Sequence, residues 1–289
     1  MSTLVKQTST SSNRGQQASS QRVKTAFTYA GLIVVSLVLL FPLFFALSIA
    51  LQGQTIAPRL IPDLGSLDLS VFATVLVQQP DLVRWILNSF VVSTLVTIGV
   101  LFTSSLAAYA FSYLNFWWKQ VFFFIILGTL MIPFEATIVP NFLLILHLNW
   151  NDSYQGLVIP FLASGFGIFL LRQYFLTIPR ELQEAAKLDG CGHVRYLWSF
   201  ILPLARPALA TVALYTFLST WNQFYWPLLV TDSSQWRTTQ IGITIFHSSE
   251  IQILNTQMAA TLIILIPTLL PLIFGQRQLV RGLTAGILK

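Results

Sequence analysis

Long apolar runs separated by short polar connections organise this chain. They fall near residues 27 to 50, 86 to 112, 121 to 146, 156 to 176, 204 to 229 and 257 to 275. Each is long enough for a helix to cross a hydrocarbon core, which takes about 20 residues. Only helices and closed barrels satisfy the backbone in lipid, and continuous runs of this length exclude the alternating strands of a barrel. The pattern predicts an all-α integral membrane protein with six transmembrane helices. Ahead of them, residues 1–25 are rich in Ser, Thr and Gln, with Lys6 and Arg14 among them, a composition that predicts a disordered cytoplasmic leader before a membrane domain over 26–289. A cleaved signal peptide is not expected, because the first apolar run is long and lacks a small-residue cleavage site.

Between the fourth and fifth runs, at about 177–203, lies a polar island containing Glu184-Ala185-Ala186-Lys187-Leu188-Asp189-Gly190. Pro179 suits a first helical position, and Glu181 and Glu184 sit where the positive end of a helix dipole favours carboxylates. Gly190 then suits the left-handed position after a helix, and a helical pattern resumes from His193 to Ile201 and stops at Pro203. The island is predicted to be a helix, a sharp turn and a second helix. Within the apolar runs, Pro133, Pro140, Pro160, Pro267 and Pro271 interrupt helical bonding, and Gly165 with Gly167 allows close approach. Either the bundle bends around a cavity or these are ordinary kinks.

Composition supports the membrane assignment: 9% of residues are charged and mean hydropathy is +0.71, against about 25% charged in a soluble domain. With the N terminus placed in the cytoplasm, every Lys and Arg except Arg59, Arg84 and Arg237 falls on that side, as the positive-inside rule requires. Both termini and the island are then cytoplasmic. The outer segments are 51–85, 147–155 and 230–256. The last of these alternates loosely from Trp236 to Ile245, which fits a folded loop exposed to a partner or a passive connector.

The net charge of +6 forms no basic patch interleaved with aromatics, so nucleic acid is not an expected partner. The single cysteine, Cys191, excludes an internal disulfide, and His147, His193 and His247 are too dispersed for a metal site. No cofactor is expected on this chain. No Gly-x-x-x-x-Gly-Lys-Ser/Thr loop occurs, so the chain is not expected to hydrolyse ATP or act as an enzyme. Glu135 is the carboxylate inside a predicted span. An unpaired charge there costs about 2.5 kcal/mol or more, which makes it either a pathway residue or a packing group bonded to backbone freed by the prolines. Trp221, Asn222 and Gln223 combine an aromatic face with amides, a combination that suits a sugar; interfacial anchoring explains Trp equally well.

The order Glu184-Ala185-Ala186, Asp189-Gly190, Pro203, Trp221-Asn222 and Pro227-Leu228 resembles the EAA region of permease subunits in binding-protein-dependent ABC importers. Gln276 through Gly286 resembles the tail of the carbohydrate-uptake branch, specifically its smaller maltose-type subunit, and Met131-Ile132-Pro133 and Ile138-Val139-Pro140 also fit that branch. The resemblance covers roughly residues 25 to 289. It implies an inner-membrane subunit, bacterial or archaeal in type, that imports an oligosaccharide or polyol, or alternatively a sugar phosphate such as glycerol phosphate. Implied partners are a second permease like the larger maltose-type subunit, an ATPase dimer carrying ATP and Mg, an extracytoplasmic solute-binding protein and membrane lipid. Glu184, Ala185, Ala186, Leu188, Asp189 and Gly190 would couple to the ATPase, and Gly282, Leu283, Thr284 and Gly286 would contact it from the tail. Rival readings are an ion-coupled transporter, which needs more intramembrane ionisable groups and repeats, and a membrane enzyme, which needs a paired nucleophile and base.

Overall fold

The computed structural model describes residues 5–52, 67–248 and 254–284. Among them, secondary structure is helical apart from one isolated bridge between Gln52 and Leu67. The chain divides into two compact units, Met1–Val71 with Ile253–Ala259 and Phe72–Gln252 with Ala260–Lys289.

In the first unit, α1 (Val5–Ala50) carries the first apolar run. Where composition predicts a disordered leader, α1 instead extends back to Val5, consistent with the low cost of adding residues to a helix already nucleated by an apolar segment. Side chains such as Leu32, Val34 and Leu39 along its apolar part are exposed, as lipid-facing groups are. After α1, Asp68 donates its amide to the Leu51 carbonyl (2.8 Å), and Asn255 donates to the Gln52 carbonyl (3.0 Å). Asp68 also accepts the Ser70 amide at 2.8 Å, which starts α2 (Ser70–Gln78). Bonding from the Ser70 side chain, and then from its backbone, holds the Asp68 carboxyl below the usual range.

The second unit is built around α3 (Leu82–Tyr113), which packs against α7 (Gly165–Phe175) and α11 (Arg206–Trp221). Its buried face mixes Val92, Val96 and Val100 with Ser93, Ser104 and Ala108. Lipid tails are as apolar as Leu, so small residues that admit close packing hold such helices together. A Cβ on Gly167 would lie 2.6 Å from Ser104 Oγ, so glycine is what lets α7 approach α3 there.

Among the described residues, three helices are long and apolar enough to cross a membrane: Lys24–Ala50, Leu82–Tyr113 and Leu254–Pro271, the last within α14 (Leu254–Thr284). Three bent pairs bring the possible total to six. The first joins α4 (Lys119–Thr129) and α5 (Phe134–His147) at 96°. Pro133 is extended there (ψ 140°), and the residue before a proline is biased away from helix. The second joins α6 (Tyr154–Val158) with its 3-10 extension to α7 at 43°, where Ser164 caps the Gly167 amide at 3.1 Å. The third, at 80°, joins His193–Leu204 to α11. The predicted run 204 to 229 is not continuous, because α11 ends at Trp221 and α12 spans Tyr225–Val230.

The described part of the outer segment 230–256 is folded and packs on α3, with some of its side chains buried and others exposed. A 3-10 turn at Ser234–Trp236 precedes α13 (Thr239–Ser248), and Thr238 and Thr239 are buried. Trp85 Nε1 donates to the Ser234 carbonyl (2.8 Å), Asn88 donates to the Gln235 and Arg237 carbonyls, and Tyr154 donates to Asn88. Asp152, at φ 50°, accepts the amides of Asp232 (2.8 Å) and Ser233 (3.1 Å) and so ties segment 147–155 to this layer. Asp152→Ala leaves both amides without that acceptor and places Ala in a left-handed conformation. It should cost about 1–3 kcal/mol, read as a lower Tm in detergent, with Asp152→Asn costing less.

Candidate functional site

The polar island forms the expected helix–turn–helix. α8 (Arg180–Leu188) starts after Pro179, whose extended backbone serves as the N-cap. Its end is a Schellman turn: the Gly190 amide bonds to the Lys187 carbonyl (3.0 Å), and the Cys191 amide bonds to the Ala186 carbonyl (2.8 Å). Gly190 has φ 72°, the conformation that favours glycine, and open space surrounds the position of its missing Cβ. α9 (His193–Tyr196) follows and continues through a π-helical turn, Leu197–Ile201, into α10 (Leu202–Leu204).

The two faces of this element differ. Glu181, Glu184, Ala185, Lys187 and Asp189 are exposed. On either side of the turn, Leu188 is 89% exposed and Val194 is 74% exposed, an apolar pair at the tip with no covering residue among those described. Ala186, predicted on the docking surface, is instead buried and belongs to the same core cluster as Tyr196 and Leu197. Its methyl group is what lets α8 lie close to its own bundle.

A cluster of tyrosines that sequence reasoning missed ties the second helix to the end of α3. Tyr109 Oη lies 2.8 Å from His193 Nδ1, and Tyr113 donates to the Phe175 carbonyl at 3.0 Å. The Tyr196 ring packs edge-on to Tyr113 with centroids 5.7 Å apart, and to Tyr109 at 6.4 Å. Tyr109 and Tyr113 are spaced i, i+4 at the end of a span, where sequence alone suggests interfacial anchoring. His193, itself exposed, is the polar partner in this cluster.

The remaining predicted residues are scattered. Glu135 lies in the first turn of α5, just past the 96° bend, and is exposed. Trp221 is 1% exposed and stacked on Phe217 (centroids 5.9 Å apart), so its ring fills the core and offers no face for a sugar. Asn222 is exposed, donates to the Leu218 carbonyl (2.9 Å) and accepts from Gln240 (3.3 Å); Gln223 is half-buried beside it. Gly282, Leu283 and Thr284 form the last turn of α14, and Gly286 lies outside the described residues. Among the described residues, no group of three His, Cys, Asp or Glu side chains is arranged to hold a metal ion.

The family model of binding-protein-dependent transport system inner membrane components matches residues 99–284, a stretch that runs from within α3 to the end of α14. The chain belongs to this family. It is therefore a transport subunit of the inner membrane and not an enzyme, and such permeases work with a partner permease, an ATPase and a solute-binding protein. The permease is 42% identical over 200 residues to the sn-glycerol-3-phosphate transport system permease protein UgpE of Yersinia pestis bv. Antiqua (strain Antiqua), covering 68% of this chain and 71% of the relative. To the protein of the same name from Shigella flexneri serotype 5b (strain 8401) it is 37% identical over 271 residues, covering 90% and 95%. A solved bacterial ABC transporter involved in the import of the acidic polysaccharide alginate contains a chain of the same fold. Its TM-score is 0.78 at 24% identity, covering 89% of this chain and 97% of that one.

Proposed function

We propose that this permease is one of two membrane subunits of an ATP-driven importer for a sugar phosphate of the glycerol-phosphate type, with oligosaccharides and polyols the second choice. The observation that carries the cargo is the 37% identity across 90% of the chain to a relative named for glycerol 3-phosphate transport. In this reading the first two bent pairs are one span each and α11 with α12 makes the sixth, with the helix–turn–helix outside the membrane and both termini in the cytoplasm. The partner permease is of the larger maltose type, and ATP and Mg reside on the ATPase pair.

The exposed tip of the helix–turn–helix, with Glu184, Ala185, Leu188, Asp189 and Gly190, docks into the ATPase. Leu188 offers an apolar anchor, and Glu184 and Asp189 offer acceptors at its rim. Closure of the ATPase pair then moves α8 and α9 as a rigid body, and the Tyr109–His193 and Tyr113–Tyr196 contacts transmit that motion to α3. The end of α14, with Gly282, Leu283 and Thr284, and Gly286 after it in the sequence, reach the same ATPase pair. Asn222, Gln223 and Glu135 line the solute pathway; Trp221 only supports them from the core.

Uptake of labelled sn-glycerol 3-phosphate and of maltose, in cells expressing the permease with its partner subunits, tests the cargo. Glycerol phosphate should accumulate and maltose should not; the reverse result favours the oligosaccharide reading. In the same assay Glu135→Ala should reduce uptake, and normal uptake by both Glu135→Ala and Glu135→Gln removes Glu135 from the pathway. Topology has a direct probe in Cys191, the only cysteine of the chain and partly exposed beside the turn. A membrane-impermeant maleimide should label it in inside-out vesicles and not in right-side-out ones. Labelling with the opposite preference reverses the orientation.

A further inference from the structure

A cavity of about 460 Å³ lies between the end of α3, the start of α4, the end of α7 and the start of α8, and three cations line it: Lys119, Arg172 and Arg180. Among the described residues, no carboxylate lines it; Glu184 and Lys187 line the adjoining cavity, which shares Arg180, Ser112 and Leu176 with this one. Protein groups use part of the donor capacity. Lys119 Nζ donates to the Leu114 carbonyl (2.7 Å) and, at 3.5 Å, to that of Ser112. Arg172 donates from Nε to the Phe111 carbonyl (3.3 Å), and its guanidinium sits 4.0 Å over the Phe123 ring. These contacts fix the two side chains in place while leaving, among the described residues, the Arg172 terminal nitrogens and the whole Arg180 guanidinium without a hydrogen-bond partner. Ser112 and Gln120 add polar groups to the lining, and the remainder of the wall is apolar, with Phe111, Phe123, Phe124 and Leu176.

Neighbouring residues place this cavity at a membrane boundary. Trp117 and Trp118 are 85% and 54% exposed in the connection just before α4, and exposed tryptophans gather at the headgroup level. Past them, Phe122, Phe124 and Ile125 on α4 are exposed, an apolar track along which an acyl chain can lie. A rim of cations above an apolar wall suits an amphiphile carrying a phosphate better than a free anion, which would gain nothing from the apolar half. Basic pockets between helices on the cytoplasmic side take anionic headgroups by this chemistry, and the planar guanidinium pairs with phosphate oxygens in a bidentate manner.

We propose that this cavity binds the phosphate headgroup of an anionic phospholipid, with its acyl chains along α4. The choice of the cytoplasmic leaflet rests on the topology proposed above, whereas the binding itself does not. Because Arg180 opens α8, the lipid would sit against the base of the helix–turn–helix.

The test uses the assembled importer reconstituted in nanodiscs of phosphatidylcholine with 20% phosphatidylglycerol (about one lipid in five, enough to compete without dominating). Retained lipid is read by native mass spectrometry. The wild type should retain phosphatidylglycerol over phosphatidylcholine. Each of Lys119→Gln, Arg172→Gln and Arg180→Gln should lower that retention about fivefold, and Arg180→Lys should lower it less. Arg180 is exposed at a helix start, so Arg180→Gln and Arg180→Lys report even where the variants within α4 and α7 fail to assemble. Equal retention by the wild type and Arg180→Gln overturns the proposal. So does displacement of the bound lipid by millimolar inorganic phosphate, which identifies a soluble-phosphate site, and so does absence of retained phosphatidylglycerol in the assembled importer, which gives the groove to a protein partner. Cys191 labelling reports the leaflet separately, so an inverted topology and a failure to bind lipid give different results.

Discussion

Gly190→Val should leave the permease inserted in the membrane but lower binding-protein-stimulated ATP hydrolysis and solute uptake by about tenfold or more. The effect comes from the backbone, because nothing lies within 4 Å of where a Cβ would stand. At φ 72° a β-branched residue strains against its own carbonyl, at about 1–2 kcal/mol or more, and each 1.36 kcal/mol is about tenfold in population. Relief of that strain unwinds the turn and breaks the Gly190–Lys187 and Cys191–Ala186 bonds. α8 and α9 then cease to move as one body, and Leu188 and Val194 lose their fixed relation at the tip. Asparagine visits the left-handed region far more readily, so Gly190→Asn should keep most of the uptake. Loss of equal size in both variants would mean that the site needs the small volume of glycine against a partner; full uptake by Gly190→Val would remove the turn from coupling.

The second large effect concerns stability at the opposite end of α3. Trp85→Ala should lower stability by about 3–5 kcal/mol, the cost of removing a fully buried large aromatic. The ring is 1% exposed and occupies the space beside Gly242, where a Cβ would collide with it. Its indole nitrogen holds the Ser234 carbonyl, and its own carbonyl accepts the Thr239 hydroxyl at 3.1 Å. Trp85 therefore fastens the 3-10 turn and the start of α13 onto α3. Trp85→Phe keeps most of the volume and drops the hydrogen bond, so it should cost nearer 1 kcal/mol. Thermal unfolding in detergent separates the two, and similar Tm values for the two variants would show that the hydrogen bond, not the ring, holds the layer.

Relatives named for glycerol 3-phosphate also bear on Glu135. If the cargo is anionic, as proposed above, an unpaired carboxylate in its path would repel it, so a pathway role for Glu135 would require it to accept hydrogen bonds from cargo hydroxyls or to pair with a cation of the partner permease. Its position in the first turn of α5, where the helix dipole favours a negative group, supplies part of the compensation within this chain.

Apolar runs of about 20 residues leave the backbone one way to satisfy itself in lipid, so their length alone determined helices and a membrane. Local chemistry determined the helix–turn–helix as well: Pro179 before α8, and glycine at the single positive-φ position that a Schellman turn requires, are preferences of a few neighbouring residues and need no tertiary contact. The tertiary structure decided what depends on residues far apart in sequence. Tyr109 meets His193 across 84 positions, and Trp85 meets Ser234 across 149; no periodicity encodes such pairings, because each depends on how separate helices pack. The same reason turned Ala186 and Trp221 inward, since a small side chain and a large ring read alike for an exposed docking face and for a core until the neighbouring helices are in place.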